Sequence, residues 1–179
     1  MLKITIPSRE LFDEASNMFI YTKEQTLQLE HSLVSLSKWE SKWHKSFIHT
    51  EKKTVAETID YIRCMTLTQN VDPNVYNYVT DSIIDQVNEY ISAPMTATTF
   101  ANESNGGNRQ IITSELIYYW MISFNIPFEC QKWHLNRLLT LLNVCSIKNA
   151  PAKKMNKQDI MSRNQALNAA RRKKYGTKG

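Results

Sequence analysis

The chain has 179 residues, 42% of them hydrophobic and 10% aromatic, enough for one globular domain with a sizeable core and a tail. No stretch approaches the roughly 20 apolar residues of a membrane helix, and residues 1–9 lack the basic-then-apolar pattern of a secretion signal, so neither export nor a membrane partner is expected. The net charge of +5 is uneven: residues 150–179 hold nine Lys and Arg against Asp159 alone (nine minus one, +8), and the remainder carries thirteen minus sixteen, or −3.

The first thirty residues read as β structure. Leu2, Ile4 and Ile6 alternate with polar residues before Pro7, residues 18–22 are apolar and aromatic, and Leu27 and Leu29 alternate with Gln28 and Glu30. Three short strands over residues 1–31 predict a small antiparallel meander that needs a helix or a partner on one face. The edge at Leu2 to Ile6 is also a place where another chain can add a strand, alongside the simpler reading of pairing within the domain.

From Ser32 the period changes to that of an amphipathic helix: Leu33, Leu36, Trp39, Trp43 and Phe47 follow three-and-four spacing. Two tryptophans one turn apart make one apolar ridge, which belongs in a core before it belongs to a ligand. Thr54 and Glu57 match a capping box and start a helix bearing Ile59, Ile62, Met65 and Leu67. Asp72-Pro73 opens a short helical turn, and Thr80 or Asp81 caps a helix with Ile83, Val87 and Tyr90 that stops before Pro94.

Between Pro94 and Gln110 the pattern dissolves, and the run from Asn102 to Asn108 has the composition of a mobile surface loop. Its glycines match neither phosphate-binding pattern. The densest apolar part follows. Thr113 or Ser114 caps a helix through Leu116, Ile117, Tyr118, Tyr119, Trp120, Met121 and Ile122, apolar nearly all round and so expected to be buried on several sides. Pro127 is placed to begin a second helix, and the two predict an antiparallel helical hairpin at the centre of the fold. The domain is expected over residues 1–149, with the helical core over 32–149; residues 150–179 form a basic helical or partly disordered tail whose apolar stripe is thin.

Chemistry carried by motif is absent. His31, His44, His49 and His134 are scattered, with no HExxH, HxH or Cys/His cluster to hold a metal and no GxSxG elbow. Cys64, Cys130 and Cys145 have no paired spacing, which argues against a disulfide framework and fits a reducing compartment. Cys130 and His134, four apart, would share a helix face, but no third group orients them. No catalytic residue, cofactor or metal is therefore expected. The run Arg171-Arg172-Lys173-Lys174 has two functional readings, neutralising the phosphates of a nucleic acid or docking on an acidic or helical protein, beside the plain one of a solvated end.

The segments Leu-Val-Ser-Leu-Ser-Lys-Trp-Glu-Ser-Lys-Trp at 33–43, Tyr-Ile-Arg-Cys-Met-Thr at 61–66 and Trp-His-Leu-Asn-Arg-Leu-Leu-Thr-Leu at 133–141 resemble a family of small tailed-bacteriophage proteins. The likeness continues through Lys153-Lys154-Met155 and residues 163–168, so it covers most of the chain. That family is one of virion morphogenesis factors, the tail assembly chaperones of long-tailed, siphovirus-like phages. The resemblance implies a non-enzymatic protein of the host cytoplasm that keeps the tape measure protein soluble and helps tail-tube subunits assemble around it. Self-association is left open.

The expected architecture is thus α+β and mainly helical: an N-terminal β meander on a helical core, with a basic C-terminal helix. Candidate partner-binding residues are Trp39 and Trp43 on the ridge and Lys153, Lys154, Arg171, Arg172, Lys173 and Lys174 in the tail. The alternatives are a nucleic-acid-binding protein acting through that tail and a structural component of the virion's head or tail.

Overall fold

A computed structural model of the chain describes residues 1–13, 17–100, 110–151 and 157–176, with the backbone alone at positions 9, 11–13, 20–22 and 159. The fold is α+β and mainly helical. Two units are resolved along the chain, Met1–Cys145 and Ser146–Gly179.

The β structure is antiparallel as expected, but it is a two-stranded ribbon and not a meander. β1 (Leu2–Ile6) pairs with β4 (Gln25–Leu29), and β2 (Arg9–Asp13) pairs with β3 (Met18–Thr22). The register runs unbroken from Leu2↔Leu29 through Ile6↔Gln25 to Arg9↔Thr22 and Asp13↔Met18. The four segments are therefore one long hairpin, interrupted where Pro7 lacks the N–H a ladder needs. β2 escaped the sequence pattern because its charged ends obscure alternation; pairing with β3 sets its conformation instead.

Alternation along β1 and β4 puts Ile4, Ile6, Leu27 and Leu29 into the core and leaves Lys3, Thr5, Thr26 and Gln28 outside. Thr5 and Thr26 face each other there, hydroxyl to hydroxyl at 3.1 Å. The free edge of β4 is covered by the chain leaving the second helix: Leu67 N–H donates to the Gln28 carbonyl (2.8 Å), and Glu30 N–H donates to that of Met65 (2.9 Å).

α1 (Leu33–Trp43) is the hub of the fold. Ser32 and Ser35 form a reciprocal capping box at its start, and His44 ends it in the left-handed region at φ 53°. The helix therefore stops one turn short of Phe47, which returns to the core from the following loop. α1 packs against α2 (Val55–Met65), against α4 (Ser114–Ser123) and against the short 3₁₀ helix Phe128–Lys132. Leu33, Leu36 and Trp39 meet Tyr61, Ile62 and Met65 from α2, with Ile117 and Met121 from α4, in one apolar cluster.

The Thr54–Glu57 capping box forms as read, with Thr54 N–H on Glu57 Oε2 (2.7 Å) and Glu57 N–H on Thr54 Oγ1 (3.2 Å). Asp72 caps a 3₁₀ helix, Pro73–Tyr78, through Asn74 N–H, and α3 spans Asp81–Ser92. The expected central hairpin is corrected. After α4 the chain takes the 3₁₀ helix, and α5 (Leu135–Asn149) begins only after His134 bridges to Ser32. Pro127 precedes a single tight 3₁₀ stretch, and the N–H of Leu135 is taken by the His31 carbonyl at 2.7 Å. α1, built on the tryptophan ridge, is central in place of the α4–α5 pair.

The second unit holds the last residues of α5 and α6 (Lys157–Tyr175). Alanine, leucine, arginine and lysine favour the helix, and nineteen residues give it a length of about 28 Å.

Candidate protein-interaction surfaces

Trp39 is fully buried, and its indole N–H donates to the Glu57 carbonyl at 2.9 Å. Its ring meets Phe47 edge-on at 5.1 Å and Tyr61 edge-on at 6.5 Å. Trp39 is a core residue, with no face for a partner. Trp43 is half-buried and stacks on Trp39 with centroids 6.1 Å apart. Its N–H donates to Asp60 Oδ2 at 2.9 Å, while Lys42 pairs with Oδ1 of the same carboxylate. Trp43 lines an open groove of about 320 Å³ together with Ile59, Arg63 and Asn77.

In the tail, Arg171, Arg172, Lys173 and Lys174 are consecutive and exposed near the C-terminal end of α6, where cations complement the helix dipole. Lys153 and Lys154 lie outside the described residues, as does the loop at Asn102 to Asn108. Every described side chain of α6 is exposed, including Ile160, Met161, Leu167 and Tyr175. Ile160 and Leu167 are seven apart and share one face, so α6 carries an apolar stripe beside its charge.

A further surface was not foreseen. α4 was expected to be buried on several sides, yet it buries only Ser114, Ile117 and Met121, leaving Tyr119 and Ile122 at 62% and 60% exposure. Phe128, 54% exposed, lies beside Tyr118 with ring centroids 6.4 Å apart. The signal was present as an apolar helix without a polar face, but periodicity alone cannot tell a buried helix from one that awaits a partner.

Among the described residues no buried side-chain nitrogen or oxygen lacks a hydrogen-bond partner. Glu40 reaches from α1 to accept the Phe47 N–H at 2.9 Å and the Ser114 N–H at 2.7 Å, so it caps α4, whose own N-cap Thr113 makes no side-chain capping bond. Glu57 is held down to about pKa 2, chiefly by the Lys45 ammonium at 2.8 Å and then by the Thr54 N–H. Cys130 and His134 do not share a helix: Cys130 is buried in the 3₁₀ segment, while His134 Nε2–H donates to the Tyr90 carbonyl (3.1 Å) and the ring meets the Tyr90 ring edge-on. Among the described residues no group of three or more His, Cys, Asp or Glu side chains is placed to hold a metal ion. No described helix is long and apolar enough to cross a membrane.

Sequence reading missed the histidine pair. His31 and His134 stand edge-to-face at 5.1 Å, and His31 Nδ1 lies 2.6 Å from the Tyr61 hydroxyl. Burial, and then the charge of His134, lower the His31 pKa from 6.5 to about 3; burial lowers that of His134 as well. Between those values the unfolded chain binds a proton that the folded one refuses, so the stabilisation is complete above pH 6.5 and is lost as pH falls from 6.5 towards 3. Each pH unit in that window removes up to about 1.4 kcal/mol from His31 alone. Urea midpoints at pH 7.5, 6 and 5 are expected to fall steadily, and in His31→Leu the fall flattens by at least half; an equal slope in the variant would remove His31 as its source.

No protein-family model, no curated protein and no solved structure matches the chain.

Proposed function

We propose that this protein is a non-catalytic binding factor for other proteins, of the tail assembly chaperone kind implied by the resemblance of residues 33–43, 61–66 and 133–141. Its partners on this reading are a phage tape measure protein and tail-tube subunits, met in the host cytoplasm. The observation that carries the reading is α6: nineteen residues of helix with every described side chain in solvent, apolar Ile160, Met161, Leu167 and Tyr175 among them. A helix of that length is marginal in water by itself, and its apolar stripe gains only when another surface covers it.

A tape measure protein presents long apolar helical seams until the tube encloses it. A basic helix carrying an apolar stripe and, in the body, an apolar α4 face each supply matching chemistry. The satisfied interior of the body, with Glu40, Glu57 and Asp60 all paired, supports a scaffold role better than a reactive centre.

Nucleic-acid binding is the second reading, favoured by the four consecutive cations at 171–174. It requires affinity that falls steeply with salt and disappears with the tail, because released counterions would dominate the free energy. On the chaperone reading, mass spectrometry of purified virions finds the protein absent and loss of its gene leaves heads without tails. Stoichiometric presence in virions would make it a structural component instead.

A further inference from the structure

α3 ends against the start of α5, and two side chains of α5's entry hold the junction. The carbonyls at the C-terminal end of a helix run out of helical partners and need others. His134 Nε2–H donates to the Tyr90 carbonyl at 3.1 Å, and the Asn136 side-chain amide donates to those of Ile91 and Ala93 at 2.8 and 2.9 Å.

His134 also serves its own helix. It stands immediately before α5, its backbone carbonyl accepts the Leu138 N–H at 3.1 Å, and its Nδ1 accepts the Asn136 N–H at 3.3 Å, which are the bonds of an N-cap residue. The two ring nitrogens therefore have opposite roles, and only the neutral ring with its proton on Nε2 fills both. Serine, threonine or asparagine would cap α5 without titrating; histidine ties the cap to a proton.

The surroundings set the order of events as pH falls. The His134 ring is buried, edge-to-face with His31 at 5.1 Å and with Tyr90 at 4.9 Å. Behind these lie the Tyr61 hydroxyl, 2.6 Å from His31 Nδ1, and the Glu30 carboxylate, held between the Tyr90 hydroxyl (2.7 Å) and the Met1 ammonium (3.2 Å). Arg137, the charged residue in the first turn of α5, is exposed with its guanidinium over the Trp133 ring. Burial lowers the His134 pKa, opposed by the Tyr90 carbonyl and the Glu30 charge, whereas His31 resists to about 3. His134 is thus the first of the pair to take a proton.

A proton on Nδ1 turns the acceptor of the Asn136 N–H into a second donor facing it. It also sets a positive charge at the positive end of the α5 dipole. Nε2–H keeps the Tyr90 carbonyl, so the part that gives way is the first turn of α5, and with it the Asn136 bonds to α3. We propose that His134 is a proton-operated latch between α3 and α5, closed while its ring is neutral and released when Nδ1 is protonated, with the core around α1 left folded.

The test follows ring nitrogen shifts and amide hydrogen exchange in the full chain at pH 7.5 and 5.5. At pH 7.5 the His134 ring is expected to be neutral with its proton on Nε2, and to titrate below 6.5. Ile62 in α2 reports the whole body, including the acid loss that His31 causes. Relative to Ile62, protection of the Asn136 and Leu138 amides is expected to fall about tenfold between the two pH values, the scale of a lost cap and an opposed dipole. In His134→Asn, whose side-chain oxygen accepts the Asn136 N–H but takes no proton, the same ratio no longer responds to pH; should that variant not fold, the ring shifts of the unaltered chain still decide. A ring protonated on Nδ1 at pH 7.5, a titration at or above 6.5, an unchanged protection ratio, or an equal fall in His134→Asn would overturn the proposal.

Discussion

Trp39→Ala is expected to cost about 4–5 kcal/mol, enough to lower the melting temperature of the body by roughly 12 °C. The indole is fully buried among Phe47, Tyr61 and Trp43, so its removal opens a cavity that α1 and α2 cannot both close. The Glu57 carbonyl also loses its donor at 2.9 Å. Trp43→Ala removes a half-buried ring, and its cost is about 1–2 kcal/mol. Thermal unfolding of the two variants decides whether the tryptophan ridge is core: similar small losses would mean that Trp39 packs loosely and that the ridge is open to partners.

Glu40→Ala has the second largest expected effect, about 3 kcal/mol. The glutamate is 7% exposed, and each of its oxygens accepts one backbone N–H, from Phe47 and from Ser114. Alanine leaves two such donors without a partner, one of them in the first turn of α4, where the helix dipole favours a negative charge. Glu40→Gln keeps the shape but turns one acceptor into a donor facing an N–H, at a cost of about 1–2 kcal/mol. Hydrogen exchange separates this from a general loss of stability, because the Ser114 and Phe47 amides are expected to exchange faster than the rest of α4 in Glu40→Gln. Unchanged protection at both positions would show that Glu40 does not hold the junction.

How much of this was legible beforehand follows from the range of each interaction. The Thr54–Glu57 box and the Asp72-Pro73 turn are decided within four residues, and both form where the sequence puts them. The burial of Trp39 follows from its spacing with Leu33 and Leu36. Glu40 and Ser114, by contrast, are 74 residues apart, and His31 reaches Tyr61 across 30 residues. Local periodicity says nothing about such pairs. The ribbon was half visible: β1 and β4 show alternation, whereas β2 owes its conformation to a register handed on past Pro7. The α4–α5 hairpin failed for a different reason, since apolar density was taken for centrality and part of that density faces solvent at Tyr119 and Ile122.

The candidate partner-binding residues divide along the same line. Trp39 belongs to the core, and Trp43 keeps one side on a groove. Arg171 to Lys174 are exposed, and Ile160 and Leu167 add an exposed apolar stripe to α6, on which the proposed protein binding rests.

The proposed function is tested most directly by co-expressing the full chain, and the chain lacking residues 151–179, with a phage tape measure protein, and measuring the soluble, co-purifying fraction. The full chain is expected to bring most of the tape measure protein into solution and to retain it at 0.5 M salt, where surface charge pairs are screened, while the truncated chain loses at least tenfold of that yield. A tape measure protein that stays insoluble and unbound with the full chain would contradict the account.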